Sequence, residues 1–91
     1  MEKVHKNITV FGDVQGVGFR FNTKKIAILL NISGYVKNLP DGNVYIEAEA
    51  LPENMEEFIR WCHHGPSVSN VKSLKVSNGN ILGYENFEIR F

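Results

Sequence analysis

Cysteine is nearly absent from this chain of 91 residues. Cys62 stands alone, so an internal disulfide is excluded and stability must come from a packed core, independent of redox state. Long apolar runs are missing too, and none approaches the roughly 20 residues that a membrane-spanning helix needs. Nor is there a surplus of charge. Ten basic and ten acidic side chains cancel, which argues against a generic binder of nucleic acid or anionic membrane, since such proteins draw polyanions with a basic excess. Neutrality still permits a small, locally positive pocket. The opening residues, MEKVHKNITV, are charged and alternating, unlike a secretory leader. A cytoplasmic protein of one domain, residues 1–91, is the expectation, with a 43% apolar fraction sufficient for one modest core.

What is present is regular patterning broken by turn residues. Val4, Ile8 and Val10 share one parity across Val4 to Phe11, which predicts a first strand. From Phe19 to Leu30, Phe19, Thr23, Ile26, Ala27 and Leu30 recur at helical spacing, and Asn31 is a suitable stop because asparagine tolerates the left-handed conformation. Ser33 to Leu39 reads as a short strand ended by Pro40-Asp41-Gly42, a turn with a mechanism behind it. Val44, Ile46, Ala48 and Ala50 then alternate with Tyr45, Glu47 and Glu49, predicting a strand with its carboxylates facing outward and a hairpin about the turn. Pro52 opens a second helix, whose buried face is Met55, Phe58, Ile59 and Cys62, and Gly65-Pro66 stops it. Val71, Leu74 and Val76 suggest a fourth strand reaching Gly79, and Phe87 to Phe91 alternates strictly enough to pair at an edge.

This order, strand-helix-strand-strand-helix-strand, predicts an α+β fold. It is a ferredoxin-like βαββαβ sandwich: an antiparallel sheet with two helices on one face and a short extra C-terminal strand.

Between the first strand and the first helix lies GDVQGVGFR, Gly12 to Arg20. Glycines there let the backbone turn tightly and gather N–H groups into a concavity at the positive end of a helix dipole. Two nucleotide fingerprints fail. Gly16 and Gly18 are followed by Phe21 where a dinucleotide motif needs a third glycine, and no Gly-Lys-Ser/Thr follows as in a Walker loop. Arg20 is unusual at a helix start, because a cation opposes the dipole there by a few tenths of a kcal/mol to about 1 kcal/mol. An anion between the two would offset that cost. The chemistry of the residues leaves two readings open: an anion site or a plain glycine-rich turn.

The same string, with Gly34-Tyr35-Val36-Lys37-Asn38 and Asp41-Gly42-x-Val44, resembles the acylphosphatase family. Phe58-Ile59-x-Trp61, Gly65-Pro66 and Asn86-Phe87-x-Ile89-Arg90 extend the resemblance over nearly the whole chain. It departs from the family pattern at Asn31 and Ala50, where glycine is common, and at Tyr35, where tryptophan is. The resemblance implies hydrolysis of acyl phosphates to a carboxylate and inorganic phosphate, with no cofactor, metal or phosphoenzyme. By position, the phosphate-binding loop is Gly12, Asp13, Val14, Gln15, Gly16, Val17 and Gly18. Arg20 holds the phosphoryl group and Asn38 orients the attacking water. The implied partners are a small acyl phosphate and inorganic phosphate as product and inhibitor, with neither nucleic acid nor membrane, and the expected state is a monomer.

Two rival readings share the fold. One is a noncatalytic or carbamoyl-phosphate-handling module, as in the acylphosphatase-like domain of a hydrogenase-maturation protein, expected inside a much longer chain. The other is an RNA-binding ferredoxin-like domain, which would need aromatics such as Tyr45 displayed on the open sheet face. Remaining features read as structural. His63 and His64 are adjacent on a helix and point apart, Cys62 and Trp61 fall among packing positions, and the acceptor patterns at Asn7 and Asn31 are coincidental without a secretory leader.

Overall fold

The computed structural model describes residues 2–91. Its elements are β1 (Val4–Asp13), α1 (Phe19–Leu29), β2 (Ser33–Asn38), β3 (Val44–Ala50), α2 (Pro52–Cys62), β4 (Asn70–Gly79) and β5 (Phe87–Arg90). One sheet contains all five strands in the order β4-β1-β3-β2-β5. The first four pair antiparallel, as two interleaved βαβ units require, and both helices pack on one face.

The alternation in β1 and β3 becomes the floor of the core. Ile8 and Val10 face the helices beside Val44, Ile46, Ala48 and Ala50, all of them fully buried. The helices supply the roof: Phe19 and Ala27 from α1, and Met55, Phe58 and Cys62 from α2. Thr23 is the one polar member of the α1 stripe, and its hydroxyl is satisfied by donating to the Phe19 carbonyl at 2.7 Å. Asn31 takes the left-handed conformation expected of a helix stop, with φ 55°, and the Ile32 N–H returns to the Ala27 carbonyl at 2.8 Å. Trp61 packs against Phe19, ring centroids 5.6 Å apart.

Two sequence expectations need correction. The sheet is mixed rather than antiparallel throughout, because β5 runs parallel to β2, Gly34 opposite Phe87 and Lys37 opposite Arg90. The cause is the route of the chain after β4. Gly79 lies beside His5, at the sheet end where β2 begins, and residues 80–86 cross that end to the far edge. A strand starting there must run with β2.

The second correction is Glu49. Its side chain does point away from the helices, yet it is only 1% exposed. The 80–86 segment covers it, and the N–H groups of Leu82, Gly83 and Tyr84 donate to its carboxylate at 2.6, 3.1 and 3.0 Å. His5 Nδ1 completes the set at 2.7 Å.

Candidate active site

At the opposite end of the sheet from Glu49, the glycine loop leaves β1. Gly12 sits at an irregularity in the β1–β4 register with φ 137°, and a Cβ on it would lie 2.1 Å from the Asn70 carbonyl oxygen. Only glycine lets β1 pass β4 so closely at the point where the loop must turn away. Gly16 and Gly18 both have φ 75°, and Gly18 is the N-cap of α1.

That helix start is bare. Among the described residues no side chain caps it, and no acidic residue stands in its first turn. The first N–H donors of α1 therefore face the loop without an internal partner, which is the electrostatic condition for holding an anion. Asn22 braces the cap from within, its side-chain amide donating to the Gly18 carbonyl at 2.9 Å.

Arg20, on that first turn, reaches across to the end of β5. Its Nη1 donates to the Arg90 carbonyl at 3.1 Å, and its guanidinium carbon lies 4.6 Å from the Phe91 ring centroid. Asn38, the last residue of β2, comes to the same place because β2 ends on this side of the sheet. Val14, Gly16, Gly18, Arg20 and Asn38 all line one open cleft of about 270 Å³.

The other loop residues do not line it. Gly12 and Asp13 belong to β1, and Val17 packs toward the core. Gln15 turns the other way, and its amide donates to the carbonyls of Leu39 and Asn43 at 2.7 and 2.8 Å. This clamp ties the loop to the β2–β3 turn beside Asn38. Sequence reasoning placed Gln15 in the loop without that role, since neither carbonyl leaves a trace in the residue types. The cleft also contains Phe21, Ile89 and Phe91, which the sequence reading did not assign to it.

A larger cleft of about 700 Å³ lies near the C-terminal end of α1, lined by Lys3, Lys24, Asn31 and Asn54 among others. Nothing from the glycine loop reaches it. The larger cleft lacks the α1 start, the Arg20 guanidinium and the Asn38 amide that converge on the smaller one.

The open sheet face carries aromatics, but in a form unlike a nucleic-acid platform. Tyr35, Tyr45 and Tyr84 each donate a hydroxyl to the Glu47 carboxylate at 3.0 Å. Arg90 stacks on Tyr35 at 3.9 Å from the ring centroid. Burial and the neighbouring carboxylate raise all three phenols above their usual range, Tyr84 to about 12. Tyr35 is thus both tied to an anion and covered by an arginine, and Tyr45 and Tyr84 are tied to the same carboxylate. Cys62 is fully buried in the core, where loss of solvation pushes its thiol up, so it is no nucleophile. His63 and His64 are exposed at the end of α2.

The fold defines a ferredoxin-like α+β protein with a glycine-rich turn between its first strand and first helix. The acylphosphatase family model matches residues 6–89, and the chain belongs to that family. A curated acylphosphatase of Archaeoglobus fulgidus is 44% identical over 84 residues, covering 92% of this chain and 94% of its own length. The crystal structure of acylphosphatase from Bacillus subtilis superposes with a TM-score of 0.94 at 32% identity, over 97% of this chain and 99% of that one. Full-length HypF, solved in a phosphate- and nucleotide-bound form, matches 99% of this chain with a TM-score of 0.88 and 32% identity, but over only 12% of its own length.

Proposed function

We propose that the cleft at the N-terminus of α1 is where this chain hydrolyses the carboxyl–phosphate bond of acyl phosphates. The observation that carries the reading is the convergence of the uncapped helix start, Arg20 and Asn38 on one cleft. Backbone N–H groups on the cleft side of the Gly12–Gly18 loop, where Val14, Gly16 and Gly18 lie, and the Arg20 guanidinium hold the phosphoryl oxygens. They stabilise charge in a loose transition state with donors already in place. Asn38 orients water, accepting through its amide oxygen and donating through its nitrogen. The water oxygen bonds to phosphorus as the bond from phosphorus to the acyl oxygen breaks. The carboxylate leaves with the electron pair, and a phosphoryl oxygen receives the water's proton. A carboxylate is a good leaving group, so no strong general acid is demanded.

The same reading has the enzyme working as a cytoplasmic monomer of one domain without a metal. Among the described residues no three His, Cys, Asp or Glu side chains gather as a metal site would require. Among the described residues no helix is long and apolar enough to cross a membrane. The exposed edge strand β4 carries Lys72 and Lys75, charges of the kind that discourage strand-to-strand association.

Hydrolysis of acetyl and benzoyl phosphate, with and without a chelator, tests the proposal. Turnover should be insensitive to chelator and competitively inhibited by inorganic phosphate. Arg20→Ala should lose about 10³-fold or more, as when a transition-state arginine is removed. Asn38→Ala should lower turnover while phosphate still binds. Near-full activity in Arg20→Ala would overturn the assignment, and chelator-insensitive phosphate binding without turnover would favour the noncatalytic module.

A further inference from the structure

Phe21 and Phe91 are among the large apolar side chains that the fold leaves in water. Phe21 is 61% exposed and Phe91 is completely so. Neither belongs to the core, yet both line the cleft that holds Arg20 and Asn38. They come from different elements: Phe21 is the next residue of α1 after Arg20, and Phe91 follows β5. Two phenyl rings brought to one cleft from separate parts of the chain leave a large apolar area unburied, and each ring can bury about 150–250 Å².

The arrangement has a polar pole and an apolar one. Gly16, Gly18, Arg20 and Asn38 form the first; Val14, Phe21, Ile89 and Phe91 form the second. The guanidinium of Arg20 marks the junction, since it lies over the Phe91 ring at 4.6 Å. An acyl phosphate has the same division, a charged phosphoryl group joined through one oxygen to an organic part. With the phosphoryl group at Arg20, the acyl chain would begin beside the Phe91 ring, in the cleft that Phe21 also lines.

We propose that Phe21 and Phe91 form an acyl subsite, so that this chain prefers alkanoyl or aroyl phosphates with an extended apolar acyl part. The inference rests on the reading of the cleft as an acyl phosphate site. Small polar acyl groups, such as carbamoyl, gain nothing from phenyl walls, and a hydroxylated acyl chain would set its hydroxyls against surfaces that offer no hydrogen-bond partner.

Two series test this, one requiring turnover and one not. The first is kcat/KM for straight-chain acetyl, butyryl and hexanoyl phosphates, whose carboxylate leaving groups are nearly equal in basicity. The second is calorimetric affinity for methyl-, butyl- and hexylphosphonate. A fully buried methylene is worth about fourfold, so partial burial between two rings should give about twofold per methylene in both series. Phe21→Ala and the Phe21→Ala/Phe91→Ala pair should flatten the slope stepwise, and Phe21→Leu should keep most of it. Both positions are exposed, so the variants should fold. A flat phosphonate series in the unaltered protein, or an unchanged slope in the double variant, overturns the subsite. If no acyl phosphate is hydrolysed while the phosphonate slope persists and falls in the double variant, the hydrolase reading fails and the apolar subsite stands.

Discussion

The side-chain amide of Gln15 donates to the carbonyl of Leu39 at 2.7 Å, so the glycine loop is tied to the residue that follows Asn38. With the second bond to Asn43 at 2.8 Å, it fixes the distance between the part of the cleft that would hold phosphate and the part that would place water.

Gln15→Ala should therefore loosen the loop without removing any group that lines the cleft. Two hydrogen bonds of about 1 kcal/mol each predict a loss of up to roughly thirtyfold in phosphate affinity, and a further fall in turnover as Asn38 and the loop lose their register. Phosphate inhibition constants and single-turnover rates check this. Unchanged values would mean that the turn holds its place unaided.

Glu49 pins the segment that carries the chain from β4 to β5. Glu49→Ala leaves three N–H groups and His5 without their acceptor, and should cost about 3 kcal/mol of stability. Because residues 80–86 lead directly into β5, amide hydrogen exchange should rise first in that segment and along the β2–β5 edge. Denaturant melts and exchange mapping provide the two measurements.

The same cluster predicts how stability depends on pH. Burial disfavours charged His5, but hydrogen bonds to Glu49 and Asn7 and the charges of Glu49 and Glu47 outweigh it, so its pKa is raised above the ordinary 6.5. That contribution is complete below pH 6.5 and is lost as pH rises through the raised value. Burial works against ionised Glu49 as well, and the N–H donors of Leu82, Tyr84 and Gly83 with His5 overcome it, lowering the carboxyl below 4.5. Glu47 is lowered by its three tyrosine hydroxyls and His5 against the same opposition. Their stabilisation holds above pH 4.5 and is lost as pH falls through the lowered values. Stability should therefore be greatest between about pH 4.5 and 6.5 as far as this cluster decides it. In His5→Gln the decline above pH 6.5 should flatten; denaturation midpoints measured from pH 4 to 9 would show it.

Gly12→Ala should be among the most destabilising single changes in the loop. A left-handed φ of 137° and a Cβ 2.1 Å from the Asn70 carbonyl leave no room without moving β4. About 3 kcal/mol or more is expected, whereas Gly16→Ala, with nothing within 4 Å, should cost only the strain of its positive φ. Thermal melts of the two variants give the comparison directly.

Most of the fold was legible because its signals are local. The alternation of Val44 to Ala50, the helical spacing of Phe19, Thr23 and Ala27, the stop at Asn31 and the start at Pro52 each depend on residues within a turn or two of one another. The chemistry of Gly12 to Arg20 was equally local, since a glycine turn before a helix creates its own donors. Asn38 entered only through resemblance, because nothing about an asparagine before a Pro-Asp-Gly turn says that it faces a loop twenty residues earlier.

What only the tertiary structure decided involves partners far apart in the chain. Parity alone placed Glu49 outward, away from the helices; a segment more than thirty residues later buries it, and strand periodicity carries no information about what crosses over a sheet face. The direction of β5 was fixed by which end of the sheet residues 80–86 cross, and the orientation of Gln15 by two distant carbonyls. Phe21 and Phe91 line one cleft with Arg20 for the same reason. The sequence determined the elements and the glycine turn through short-range sterics and hydrogen bonding, while long-range pairing of the sheet decided which side chains share the cleft.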